Sequence, residues 1–225
     1  MSESVDEAPT GAGRARLIIA AVIVAVLLAC GGFLTGRFSA PAATATPTTD
    51  SAAAGFLRDM QVHHAQAVDM AMTVRDGVDE ADFSSLRLLA YDIAVGQANQ
   101  AGQMYGLLEA WDLPQASTAP AMQWMSQPVI DGSDPGHGME GMAAGTMPGL
   151  ASDADLADLR AATGTDAARK FLTLMIAHHE GGIAMAEAAL ARTDQPDLVN
   201  LATGIVKSQQ ADITAMQQML AALPD

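Results

Sequence analysis

Cysteine is almost missing from this 225-residue sequence: the only one is Cys30, inside an apolar N-terminal stretch. The body therefore has no disulfide framework, no thiolate zinc site and no cysteine nucleophile. Aromatic residues are scarce too, with five Phe, two Trp and two Tyr. Long alternating runs of β-branched residues are absent, and Ala and Met dominate the hydrophobic half of the composition, so the class is all-α. Positive charge is the third shortage. Eleven Lys and Arg face 26 Asp and Glu, a net charge of −15, and the first 37 residues hold three Arg and three acids. The whole excess thus lies beyond residue 37. Such a body repels nucleic acid and anionic headgroups and concentrates cations nearby, a field effect that locates no site.

One long hydrophobic run is present. Leu17 to Gly36 carries no charge, and 20 helical residues span roughly 30 Å, enough for a bilayer core. Arg14 and Arg16 precede it, which favours a cytoplasmic leader (1–16) and an exported body. Three readings fit the run at 17–36: an uncleaved transmembrane helix, a lipoprotein signal with Cys30 as the lipidated residue, or a conventional signal peptide. The apolar stretch continues past Cys30, which favours the uncleaved helix. Each reading delivers the body outside the cytoplasmic membrane, and the first two leave it there single-pass or lipid-anchored, the localisation expected. Residues 37–54 form a Pro/Thr/Ala tether.

The body contains a repeat. Residues 56–74 (FLRDMQVHHAQAVDMAMTV) match 171–189 (FLTLMIAHHEGGIAMAEAA) at an offset of 115. Phe56 pairs with Phe171, Met60 with Met175, His63-His64 with His178-His179, and Met70-Ala71 with Met185-Ala186. Four of the five histidines fall in these two pairs. At an offset of 112, Leu89, Ile93, Gln97, Met104 and Leu108 match Leu201, Ile205, Gln209, Met216 and Leu220. Each copy therefore reads as a helical hairpin, 55–112 and 167–223. The breaks fall at Arg75-Asp76-Gly77 and at Thr193 to Pro196, with Asp194 as the expected cap and Pro196 in the first turn. Two hairpins make a four-helix bundle, the economical way to bury four apolar faces.

The connector, 113–166, is rich in Met, Gly and Pro. Ser152 to Ala162 reads as a short helix, with Ser152 and Asp155 spaced as a capping box. The remainder is too long for a tight loop and is either a lid or a mobile tether. Its run His137-Gly-Met139-Glu140-Gly-Met142, followed by Met147, is similar to open Met/His segments that capture copper, and equally to a low-complexity linker.

On a helical wheel, Phe56, Met60, His63, Ala67 and Met70 form one stripe, as do Phe171, Met175, His178, Gly182 and Met185. His64 and His179 lie about 100° further round, beside other apolar positions. Both histidines of each pair therefore turn inward. If the hairpins pack about a pseudo-twofold axis, the stripes meet and gather imidazoles and thioethers, a donor set suited to Cu(I) and poorly to Mg²⁺ or Ca²⁺. Methionine at helical spacing is ordinarily core filler. Four buried imidazoles weigh the other way, since each carries a desolvation cost that a polar purpose would offset. A shared polar network or a pH-sensitive core is the alternative.

Enzymatic readings find little support. A bundle di-iron oxidase needs Glu-x-x-His, yet Met60 and Met175 stand three residues before His63 and His178. Acids near the expected core are few, Asp69, Glu180 and Asp212, and no nucleophile–base pair or phosphate loop is present.

The motif Phe171-x3-Met175-x2-His178-His179-Glu180-x4-Met185-Ala186 and its first copy, Phe56-x3-Met60-x2-His63-His64-x5-Met70-Ala71, resemble the hallmark of a bacterial family called "domain of unknown function 305". Met147-Pro148-Gly149 and Gln209-x2-Asp212-Ile213-x2-Met216 are also similar to family features. The resemblance covers about Gly55 to Leu223. It implies a ferritin-like four-helix bundle, secreted or anchored, in a family associated with copper binding or tolerance and with no established catalytic activity. The first copy departs from the pattern, with Ala65 opposite Glu180 and Gln100 opposite Asp212, so the halves need not be equivalent.

The expectation is an anchored, copper-binding or copper-buffering protein. Its candidate ligands are His63, His64, His178, His179, Met60, Met70, Met175, Met185 and Glu180, with His137, Met139 and Met142 as weaker ones. The competing reading is an envelope structural or interaction module whose His/Met core only specifies packing.

Overall fold

The computed structural model describes residues 11–39, 45–133 and 145–224. All of its regular elements are helical, and no strand occurs among the described residues. The chain divides into two compact units, Met1–Ala45 and Thr46–Asp225. In the first, α1 (Gly11–Ser39) includes a span, Gly13–Phe33, long and apolar enough to cross a membrane, with a mean hydropathy of 2.5.

The second unit holds α2 (Ala52–Gly77), α3 (Glu80–Ala110), a 3₁₀ turn at Gln123–Ser126, α4 (Asp153–Ala161), α5 (Gly164–Leu190) and α6 (Pro196–Ala222). Caps set several boundaries. The Ser51 hydroxyl accepts from the Ala54 amide, and Asp79 accepts from the Ala81 amide. Ser152 and Asp155 form the expected capping box of α4. α2 starts at Ala52, inside the expected tether, α5 starts at Gly164, inside the expected connector, and both inter-helix breaks differ from expectation. α2 runs through Arg75-Asp76-Gly77 and breaks at Val78-Asp79, where the Asp79 carboxylate is a strong N-cap. The cap of α6 is Gln195 and not Asp194, because Pro196 takes the first helical position.

The result is a four-helix bundle. α2 pairs with α3 and α5 with α6, the two hairpins join through α2 and α5, and α3 meets α6 more lightly. The core is two apolar clusters, and the duplication exchanges their members. One contains Phe56, Met60, Met104 and Met185; the other contains Phe171, Met175, Met216 and Met70. Met60 precedes His63 while Met185 follows His178, so their shared cluster shows that α2 and α5 run antiparallel.

The described parts of the connector are fastened to the bundle. Asp59 accepts from the Met122 amide at 2.6 Å and from the Trp124 indole at 2.9 Å, and Trp124 meets Phe56 edge-on with ring centroids 5.8 Å apart. Arg192 donates to the carbonyls of Met125, Gln127 and Ala188. The Gln66 amide makes a two-pronged pair with the backbone of Ala151. His137, Met139 and Met142 lie outside the described residues.

Phe171 is fully buried at the heart of the second cluster, so Phe171→Ala should cost about 3–5 kcal/mol in urea unfolding. Phe56→Ala should cost about 0.5–1.5 kcal/mol more, since it also loses the edge contact with Trp124. Equal costs would contradict the asymmetric role given to that indole.

Candidate metal centre

Between the two apolar clusters, every bundle helix changes character at one level. Along α2 the first cluster ends at Met60 and the second begins at Ala67, with His63 and His64 between them. Along α5 the last fully buried member of the second cluster is Met175, the first cluster resumes at Met185, and His178 and His179 intervene. On α3, Gln97 stands between Ala94 and Met104; on α6, Gln209 stands between Ile205 and Ile213. All six side chains are buried, the four histidines completely. A polar layer therefore cuts the core in two.

The layer is held by one hydrogen bond per imidazole, in each case from Nε2. His63 Nε2 lies 3.0 Å from the Pro148 carbonyl, and His178 Nε2 lies 3.0 Å from the His63 carbonyl. His64 Nε2 is 2.8 Å from Gln100 Oε1, and His179 Nε2 is 3.3 Å from the Asp212 carboxylate. Every partner atom is an acceptor oxygen, so each Nε2 carries the proton and donates. A neutral ring that donates from Nε2 keeps its bare lone pair on Nδ1. None of the four Nδ1 atoms has a hydrogen-bond partner. At the centre, the rings of His63 and His178 stack with centroids 3.8 Å apart and planes tilted by 36°.

Burial keeps three of the rings, His63, His64 and His178, neutral. Burial lowers the His63 pKa to about 4, against a smaller upward pull from the Pro148 carbonyl. Burial likewise lowers His64 to about 3, opposed by Gln100. His178 falls well below the ordinary 6.5, through burial first and then through the neighbouring histidines. Neutral imidazole is the form that ligates metal.

The two halves are not equivalent. Strict twofold symmetry would give His63 a carbonyl on α5, but it donates instead to Pro148 in the connector. Gly181 makes this possible: a Cβ there would collide with the Pro148 carbonyl oxygen, and a Cβ at Gly149 would strike the Ala177 carbonyl. The outer partners also differ, neutral Gln100 for His64 and anionic Asp212 for His179. Asp212 is partly exposed. Gln100 links onward to Ser208 and lines a groove of about 520 Å³ between α3 and α6. Both outer histidines therefore sit one side chain away from solvent.

Of the residues singled out in the sequence, the structure brings His63, His64, His178 and His179 into one layer. Met60 and Met185 lie on one side of it, Met70 and Met175 on the other, all fully buried. It does not bring Glu180 in: that side chain is exposed on α5. Among the described residues, no three His, Cys, Asp or Glu side chains form a metal-holding group, so thioether or amide donors would have to complete a set begun by paired imidazoles. Sequence reasoning missed Pro148, Gln97 and Gln209 as members of the site. The 112-residue offset that pairs Gln97 with Gln209 was the available signal for the two glutamines.

Fold and site together define a duplicated-hairpin bundle with a histidine layer in its core. The chain belongs to the family described as a domain of unknown function (DUF305), which matches residues 53–220. Among solved structures it is similar to a DUF305 protein from Streptomyces coelicolor, at 41% identity and a TM-score of 0.65, covering 77% of this chain and 93% of that one. A DUF305 fragment from Deinococcus radiodurans is 32% identical with a TM-score of 0.57, covering 75% and 94%. CopM in its Cu(II)-bound form is 27% identical with a TM-score of 0.53, covering 76% and 96%. In its Cu(I)-bound form the values are 25%, 0.51, 73% and 91%. No curated protein matches the chain.

The lowered pKa values make a prediction for the metal-free protein. In the unfolded chain these histidines titrate near 6.5, so below that pH the unfolded state binds more protons than the folded one. Stability should be complete above pH 6.5 and fall as pH drops through the window from 6.5 to about 3. His63 alone contributes roughly 3 kcal/mol of that loss. Thermal midpoints between pH 7 and 4.5, above most carboxylate titration, would test this; a flat profile there would contradict neutral burial.

Proposed function

We propose that this chain is an exported copper-binding or copper-buffering protein, held at the cytoplasmic membrane by its N-terminal segment with the body outside. One observation carries the reading: four buried imidazoles, each anchored through Nε2–H, leave four unpartnered Nδ1 lone pairs between two methionine-bearing clusters. Anchoring one ring nitrogen on a carbonyl or carboxylate so that the other is free and basic is how protein second shells prepare histidine for metal. His63, His64, His178 and His179 are the proposed ligands, with Met60, Met70, Met175 and Met185 supplying soft sulfur for Cu(I). His137, Met139 and Met142 would act as an outer capture segment. The similarity to CopM, solved with Cu(I) and with Cu(II), supports the choice of metal. The Streptomyces coelicolor relative, described as secreted, and the apolar α1 support export.

A second reading has its own support. The histidines also bridge helices, with His178 reaching the α2 backbone and His64 reaching α3. A layer that only fixes helix register would show the same bonds.

Titration of the purified chain with Cu(I) under reducing conditions, against a competing chelator, separates the two. The copper reading predicts stoichiometric binding, and a rise in thermal midpoint equivalent to about 2.7 kcal/mol at a hundredfold excess over Kd. Replacing all four layer histidines with leucine should abolish most of the binding. A wild-type melt indifferent to copper, with the histidine variants merely destabilised, would leave the packing reading standing.

A further inference from the structure

We propose that Gln209, seconded by its duplicate Gln97, selects between the oxidation states of a copper ion in the histidine layer by serving as its oxygen-donor side. This rests on the copper reading above and goes beyond it by assigning a role to residues that reading does not use.

Both glutamines belong to the polar layer, one on each second helix, and they are 1% and 3% exposed. Neither amide oxygen nor amide nitrogen of either residue has a hydrogen-bond partner. An unsatisfied buried polar group costs about 1–3 kcal/mol, and an apolar residue of similar volume would avoid that cost. They share this buried layer with four imidazoles whose Nδ1 atoms also lack partners.

Gly182 shows where the Gln209 amide lies. An ideal Cβ on that glycine would stand 2.5 Å from Gln209 Oε1 and 3.0 Å from Nε2. Cβ positions on a helix tilt toward its N-terminus. The amide therefore occupies the flank of α5 that faces back toward His178 and His179, one turn earlier. In the first copy the equivalent residue is Ala67, whose methyl fills that flank. Gln209 is therefore the glutamine for which a glycine leaves room on the facing helix.

Chemistry gives the two donor types different tastes. Cu(I) prefers thioether and imidazole, whereas Cu(II) takes nitrogen and oxygen. The layer offers both sets around the same imidazoles: methionine sulfur from the flanking clusters, and amide oxygen, acting directly or through a water it holds.

The test uses the full chain in detergent, comparing wild type, Gln209→Leu and Gly182→Ala. Gly182→Ala displaces the amide without removing it, and serves if Gln209→Leu does not fold. Affinities for Cu(I) under reducing conditions and for Cu(II) in air are each measured against a chelator. Both variants should lose about tenfold or more in Cu(II) affinity, the usual scale for second-shell changes, and under about threefold for Cu(I). A tenfold selective loss raises the couple's potential by about 59 mV. Equal losses for both ions, or no loss for either, overturn the proposal and leave Gln209 a packing residue. Wild type binding Cu(I) but not Cu(II) also overturns it, while the copper reading stands. Wild type binding neither ion overturns both.

Discussion

Burying four imidazoles in the middle of an apolar bundle is the constraint around which this fold is organised. Each ring must lose its hydration and find an acceptor for its Nε2 proton. The structure meets these demands with four separate acceptors: a connector carbonyl, a helix carbonyl, a glutamine and an aspartate. What it does not do is satisfy the second nitrogen of any ring. Ordinary packing histidines in a core tend to have both nitrogens accounted for. All four rings repeat the same omission.

The duplication builds this layer, and departures from it give the layer direction. Exchange of Met60 with Met175, Met70 with Met185 and Met104 with Met216 between the two clusters is nearly ideal twofold symmetry. It breaks where the Pro148 carbonyl enters over Gly181, where Gly182 replaces Ala67 and where Asp212 replaces Gln100. All three changes mark the second hairpin: a glycine against the Gln209 amide, a nearby negative charge and a connector turn packed on α5. A cation entering along α3 and α6 would meet a neutral side chain at one histidine and an anionic one at the other.

Much of this was legible in the residues themselves. The repeated Phe-Met-His-His-Met spacing gave the helices, their inward faces and the meeting of the two stripes, because periodicity 3.6 and a fixed offset constrain geometry strongly. Capping was read correctly at Ser152, where a complete box is local, and one residue early at Asp194, where proline decided the boundary. The connector was not legible. Its described parts are tied down by Asp59, Gln66 and Arg192, polar residues whose partners lie roughly 60 to 85 positions away in sequence and leave no local pattern. Glu180 drew attention because it adjoins the histidines in the motif, yet one further step of about 100° carries it out to solvent. The glutamines were visible as repeat positions, but a neutral amide carries no signal of function until its burial and lack of partners are known.

The central claim is that each buried histidine is an Nε2–H tautomer presenting a free Nδ1 to the interior. Long-range ¹H–¹⁵N correlation spectra of the imidazoles, recorded without metal and then with diamagnetic Cu(I), test it most directly. The account predicts four Nε2–H tautomers in the metal-free protein. On adding Cu(I), Nδ1 resonances should move while the Nε2 protons and their hydrogen bonds persist. Nδ1–H tautomers in the metal-free state, or Nδ1 resonances that ignore copper, would contradict it.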